Sequence, residues 1–183
     1  MLKIIAFGAS YSKESINRRF ATYAAAQFEG AKVELLDLNH YQLPLFTVDL
    51  EKEIGHPEAA HEFVAKLQEA DLLVISMSEH NGSYTAAFKN LFDWASRVEV
   101  KMFANAKMLL LSTAPGPHGG LSVLDTAKQR FPRHGAEICA SFSLPRFRDN
   151  FDPELGITDE SFKTAFKMAI AATKESIETM IND

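Results

Sequence analysis

The chain has one cysteine, Cys139, so no disulfide can form within it, and a reducing compartment fits. That cysteine sits in the strand-like run Glu137-Ile138-Cys139-Ala140-Ser141-Phe142, where a small buried hydrophobe is the ordinary reading and a nucleophile the rarer one. There is no basic segment leading into a short apolar one, and no apolar run long enough to span a bilayer. The expectation is a soluble, cytoplasmic protein with no membrane partner. Basic residues do not dominate either: 19 Lys and Arg against 24 Asp and Glu leave a formal charge of −5, without the clustered basic surface that nucleic acid requires. No repeat, low-complexity tract or linker divides the 183 residues, which read as one domain over 1–183.

Several nucleotide-binding signatures are also missing. Without G-x-x-x-x-G-K-[ST] there is no nucleoside-triphosphate P-loop, and without G-x-G-x-x-G after the first strand a dinucleotide-binding Rossmann domain is not supported. No aspartate pair follows that strand, which argues against a phosphorelay receiver. His56, His61 and His118 have no matching cysteine or carboxylate cluster, so no metal site is expected.

What the chain does have is three apolar runs that each break into a polar loop. Lys3-Ile4-Ile5-Ala6-Phe7 runs into Gly8-Ala9-Ser10-Tyr11-Ser12-Lys13-Glu14-Ser15-Ile16-Asn17. Leu72-Leu73-Val74-Ile75-Ser76-Met77 runs into Ser78-Glu79-His80-Asn81-Gly82-Ser83, and Met108-Leu109-Leu110-Leu111 into Ser112-Thr113-Ala114-Pro115-Gly116-Pro117-His118-Gly119-Gly120. Continuous apolar runs mark strands buried on both faces, and open α/β sheets place their ligand where such strands end.

Helices are read at about 15–28, 57–69, 84–97 and 119–131 and from about 159, with apolar residues at three- and four-residue steps. Strands are read at 3–7, 32–38, 71–77, 107–112 and 137–142, and 39–56 as a long loop. Strands alternating with helices imply parallel pairing with right-handed crossovers. In the first loop, Ser10, Ser12, Ser15 and Asn17 surround the start of a helix, whose unpaired N–H groups and positive dipole end favour an anion. Each could instead be a helix cap; four within eight residues favour a phosphate.

The first run resembles the G-S-x-R-x-x-S-x-N loop of the NADPH-dependent FMN reductase family, which includes quinone, chromate and azo-dye reductases. Ser78-Glu79-His80-Asn81-Gly82-Ser83 with Lys89-Asn90-Leu91-Phe92-Asp93-Trp94 is similar to the family's P-E-Y-N-x-S…K-N-x-x-D-W segment. The resemblance implies a flavodoxin-like three-layer sandwich: a five-stranded parallel sheet, order 2-1-3-4-5, with helices on both faces. It implies FMN as cofactor and NAD(P)H as co-substrate. Ser10, Ser12, Ser15, Ile16 and Asn17 then fall to the FMN phosphate end, Ser78, Glu79, His80 and Asn81 to the isoalloxazine edge, and Ser112, Thr113 and Gly116 to its other side.

Three positions depart from the pattern. Ser12 stands for an arginine, which removes a charge-assisted phosphate partner; Ser78 stands for a proline and His80 for a tyrosine. The implied activity is a ping-pong hydride transfer from NAD(P)H to quinones or similar small acceptors. The flavin carries the chemistry and no protein group is named as general acid. The rival reading is a non-enzymatic flavin-binding electron carrier or redox-sensing partner protein. Around the 84–97 helix, Phe88, Leu91, Phe92, Trp94 and Val98 spread too widely for one core stripe. With the family's habit of pairing through this helix, this predicts a homodimer or tetramer with Trp94 at or near the interface.

Overall fold

Strands hidden from solvent on both faces lie at the centre of the computed structural model, which describes residues 1–182. In chain order the first half comprises β1 (Lys3–Ala9), α1 (Ile16–Ala25), β2 (Lys32–Leu35), α2 (Val48–Ile54), α3 (Glu58–Gln68) and β3 (Leu72–Met77). A small hairpin follows, β4 (Glu79–His80) and β5 (Ser83–Tyr84), then α4 (Ala86–Val98), β6 (Lys107–Thr113), α5 (Leu121–Arg130) and β7 (Glu137–Leu144). The chain closes with α6 (Phe147–Asn150), a second hairpin β8 (Phe151–Asp152) and β9 (Gly156–Ile157), and α7 (Glu160–Asn182).

The large sheet is parallel in the order β2-β1-β3-β6-β7, which is the expected 2-1-3-4-5 once the two-residue hairpin strands are set aside. Successive side chains of β1 alternate between its faces. Ile5 and Phe7 join Phe63, Phe88 and Phe131 beneath α3, α4 and α5, whereas Ile4 and Ala6 join Phe20 and Phe166 beneath α1 and α7. Two buried faces explain the unbroken apolar runs of β1, β3 and β6. At the edge, β2 leaves Val33 and Leu35 partly in solvent, which accounts for its weaker pattern. Register sets Ala9 beside Met77 and Met77 beside Ser112, so the three loops leave the sheet side by side.

Two expectations are corrected. The 39–56 segment is not all loop: α2 lies within it, started by Thr47, whose hydroxyl accepts from the Leu50 N–H at 3.0 Å. It buries no residue, so no core-facing periodicity marked it. Trp94 does not itself reach the surface where a partner could touch it. It is 0% exposed within a single chain, its Nε1–H donates to the Pro44 carbonyl at 2.8 Å, and Phe46 meets its ring edge-on at 5.0 Å. The second apolar flank of α4 is covered by the chain's own 43–46 segment. Asn90 fixes that segment by donating to Leu43 O and Pro44 O and accepting from the Phe46 N–H.

Candidate active site

The loop after β1 has to turn sharply into α1, and Gly8 makes this possible. A Cβ on Gly8 would lie 2.3 Å from the Arg18 nitrogen, so only a hydrogen lets the helix start cross the strand so closely. Ser15 caps the helix by accepting from the Arg18 N–H at 3.2 Å, and Ser10 Oγ accepts from the Ser12 N–H at 3.1 Å. Both hydroxyls act there as acceptors, which leaves their O–H groups free to donate. The N–H groups of Ile16 and Asn17 lie in the first turn, where no carbonyl of the helix can reach them. Three hydroxyls, two amides and the positive end of a helix dipole thus converge on one place.

A cavity of about 230 Å³ opens there, lined by Ser10, Ser12, Glu14, Ser15, Ile16, Asn17, Ser78, Glu79, His80, Thr113, Ala114 and Pro115. It brings together nine of the twelve residues expected from the sequence. Ser112 lies buried behind it, while Asn81 and Gly116 lie outside its lining. No lysine or arginine lines it, so an anion would be held by neutral donors and the dipole.

Not every polar side chain near the cavity faces it. Asn17 Oδ1 accepts from Ser76 Oγ at 2.7 Å and from the Thr113 N–H at 3.1 Å, and its Nδ2 donates to Thr113 O at 3.0 Å. With both oxygen lone pairs and one N–H in use, the amide acts as a clamp between α1, β3 and β6. Thr113 Oγ1 donates to Leu144 O at 2.6 Å, and Ser112 Oγ to Gly119 O at 2.8 Å. Nothing in the sequence separates Asn17 from the loop hydroxyls; only its partner Ser76, polar within an apolar strand, hinted at an inward bond.

At the other end of the cavity, Asn81 and Gly82 turn the chain at φ 51° and 73°, both left-handed, in a two-residue hairpin that pairs His80 with Ser83. An Asn-Gly pair is the usual sequence signal for this turn, since both positions need a positive φ. Glu79 points away from the turn: its carboxylate accepts from the Val123 N–H at 2.9 Å, in the first turn of α5. The N-cap of α5 is Gly120, which has no side chain to offer, so Glu79 supplies the cap from 44 residues away. Gly120 itself sits at φ 77°, and a Cβ there would press on Ser112 Cβ at 3.2 Å. Thr85 Oγ1 donates to Ala9 O at 3.2 Å and accepts from the Phe88 N–H, joining the start of α4 to the end of β1.

Tyr84 anchors the hairpin. Its ring lies parallel to Phe131 and stacks on Phe92, and burial pushes its hydroxyl up to about 12. Tyr11, in the first loop, is likewise pushed up to about 12 by burial and donates to Tyr41 O at 2.9 Å. Neither phenol can serve as an acid or base near neutral pH. The site therefore offers hydrogen-bond donors for a phosphate and a backbone-built rim for a planar group, with neither phenol available as its proton donor. FMN fits that donor set.

The family model described as NADPH-dependent FMN reductase matches residues 2–148. A NADPH:quinone oxidoreductase of Arabidopsis thaliana is 30% identical over 182 residues, which cover 93% of this chain and 89% of the plant protein. An uncharacterised protein of Mycoplasma pneumoniae is 32% identical over 154 residues, covering 81% of this chain and 90% of its own. Among solved structures, a flavoenzyme NAD(P)H:(acceptor) oxidoreductase from Paracoccus denitrificans matches with a TM-score of 0.76 at 20% identity, over 98% of each chain, and so shares the fold.

Proposed function

Since the chain belongs to the NADPH-dependent FMN reductase family, we propose that it is an FMN-containing oxidoreductase that passes electrons from NAD(P)H to quinones or similar small acceptors. FMN supplies the hydride chemistry when bound. The protein's part is to hold, orient and shield. Ser10, Ser12 and Ser15 donate hydroxyls, and Ile16 and Asn17 backbone N–H groups, to the phosphate. Asn17, Ser112 and Thr113 contribute through their backbone and through the clamp beneath it. The hairpin rim of Ser78, Glu79, His80 and Asn81 borders the ring on one side and Gly116 on the other. The observation that carries this reading is the convergence of free hydroxyls and first-turn amides on one cavity beside the hairpin.

Donor and acceptor take the same slot in turn, because both would reach the ring at the one hairpin rim beside the phosphate loop. Initial rates with NADPH and a quinone then give parallel double-reciprocal lines. Intersecting lines would rule out the shared slot, and absence of turnover would leave an electron carrier. The assembly proposed is a homodimer, or a dimer of dimers. Leu45, Val48, Ile54 and Val100 are exposed apolar residues flanking α4, where the Glu51–Arg97 pair ties α2 down at 2.8 Å. Sedimentation at a mass of 20.3 kDa would overturn the dimer.

A further inference from the structure

A second, larger hollow begins where the phosphate loop ends. A cavity of about 520 Å³ runs along the outer side of α1, between that helix, the end of β2 and the second hairpin, and Ser15 lines both it and the phosphate cavity. Arg19, Phe151 and Pro153 continue it into a further cavity of about 320 Å³ that reaches Arg148 and meets the phosphate cavity again at Ile16. The walls are unlike the rest of the molecule. Lys13, Arg18, Arg19 and Arg148 face a single carboxylate, Glu14, on a chain whose formal charge is −5.

Two of these cations are not engaged: Lys13 and Arg148 make no ion pair among the described residues. Arg18 is held by Asp37 at 3.0 Å. Arg19 meets Glu14 at 2.7 Å, but the two side chains are 54% and 83% exposed, and so solvated a pair gives way readily to a stronger anion. The remaining wall is aromatic. Tyr23 and Phe151 stand edge to face at 5.2 Å. Cations and aromatic rings sharing the wall of one hollow suit a planar body that carries more than one phosphate. The volume exceeds the needs of a lone phosphate, and a wall that joins cations to an apolar, aromatic surface suits an amphipathic anion.

We propose that this groove binds an adenosine phosphate, with the base against Tyr23 and Phe151 and the phosphates at Lys13, Arg19 and Arg148. Two sources share that chemistry. One is the adenylate half of the dinucleotide co-substrate, which rests on the function proposed above; the other is a free adenine nucleotide acting from outside the slot.

The test titrates the FMN-loaded protein with adenosine 2′,5′-bisphosphate by calorimetry, in wild type, Lys13→Ala and the Arg19→Ala/Arg148→Ala double variant. Saturable one-to-one binding is expected, weakened about tenfold or more in the double variant and less in Lys13→Ala, as loss of charge-assisted bonds requires. Binding should also weaken as salt rises. Competition of the bisphosphate with NADPH in steady-state rates assigns the groove to the co-substrate, and inhibition without competition assigns it to a separate nucleotide; either supports the site. No saturable binding, or equal binding in wild type and the double variant, overturns it. FMN affinity, read separately by flavin fluorescence, should be the same in all three proteins. If the wild-type chain held no FMN, the function proposed above would fall while the bisphosphate titration stayed readable.

Discussion

The two ends of the cofactor cavity are built in opposite ways. At the phosphate end the loop side chains Ser10, Ser12 and Ser15 keep free donors, and the anchoring is done from below by Asn17. At the ring end the side chains turn inward: Glu79 caps α5, Thr85 bonds to β1, and Tyr84 sinks among Phe88, Phe92 and Phe131. What remains toward the cavity there is backbone and the exposed tip at His80, Asn81 and Gly82. Under the function proposed above, one end would meet its ligand with side chains, the other with main chain held by buried side chains. The phosphate-end hydroxyls should therefore tolerate substitution at the expense of affinity, whereas the inward anchors should tolerate it only at the expense of the fold.

The largest effects test the anchors. In Gly8→Ala the new Cβ would meet main-chain atoms of α1 at 2.3 Å, which no side-chain rotation relieves. Asn17→Ala would leave Ser76 Oγ and the Thr113 N–H and carbonyl without their Asn17 partner. Each orphaned group costs about 1–3 kcal/mol, so the three together should cost roughly 3 kcal/mol or more of stability, with little folded protein left for Gly8→Ala. Urea midpoints measured without FMN decide this. An Asn17→Ala protein as stable as wild type, weakened only in FMN binding, would make Asn17 a ligand rather than a clamp.

Next come the free hydroxyls. Ser10→Ala combined with Ser12→Ala removes two donors to a charged group, each worth about 1.5–3 kcal/mol. FMN affinity by fluorescence titration should fall roughly a hundredfold or more, while stability without FMN moves by no more than about 0.5 kcal/mol. Equal FMN affinity would leave the phosphate to the helix N-terminus alone. A smaller effect is expected at the ring end. Glu79→Gln keeps an oxygen acceptor for the Val123 N–H but loses its charge at the start of α5, costing about 0.3–1 kcal/mol. Glu79→Ala removes the cap as well, and about 1 kcal/mol more should go. Stability unchanged in Glu79→Ala would return this carboxylate to the ligand set.

The sheet could be read from the sequence because each central strand is apolar along its length and each loop announces itself with Ser, Gly or Pro. The parallel pairing and the meeting of the three loops followed from the same pattern, whereas the strand order came from the family resemblance. The direction of each polar side chain could not. Asn17 and Ser15 are near neighbours with similar chemistry, yet one clamps the sheet and the other caps a helix, a difference set by partners at residues 76 and 113. Glu79 was equally opaque, since its partner Val123 is supplied by a helix whose own cap position is a glycine. Trp94 misled because its cover is a segment without periodicity of its own.

The smallest predicted effect concerns pH, and it separates the two ends once more. His134 is buried edge-on against Phe92, which in turn stacks on Tyr84, and its Nδ1 bonds with the Val100 carbonyl at 2.8 Å. Burial holds its pKa below the ordinary 6.5; the Val100 carbonyl opposes this, and Arg130 and Lys101 reinforce it. With the folded value depressed, the unfolded chain takes up the proton first. The contribution of neutral His134 is thus complete above about 6.5 and is lost as pH falls through the folded value. Stability should fall between pH 7.5 and 5.5 in wild type, and by less in His134→Phe, which carries no proton to gain. The hydrogen bond to Val100 is lost in that variant at both pH values, so the slope, not the midpoint, is the measure. Acidification should also lower protection from amide exchange, taken relative to the intrinsic rate at each pH, at Ser83 and Tyr84 before it does so at Arg18 and Arg19, because among the described residues no buried imidazole lies behind the phosphate end. Equal slopes in the two proteins, or protection falling first in α1, would show that acid reaches the site by another route.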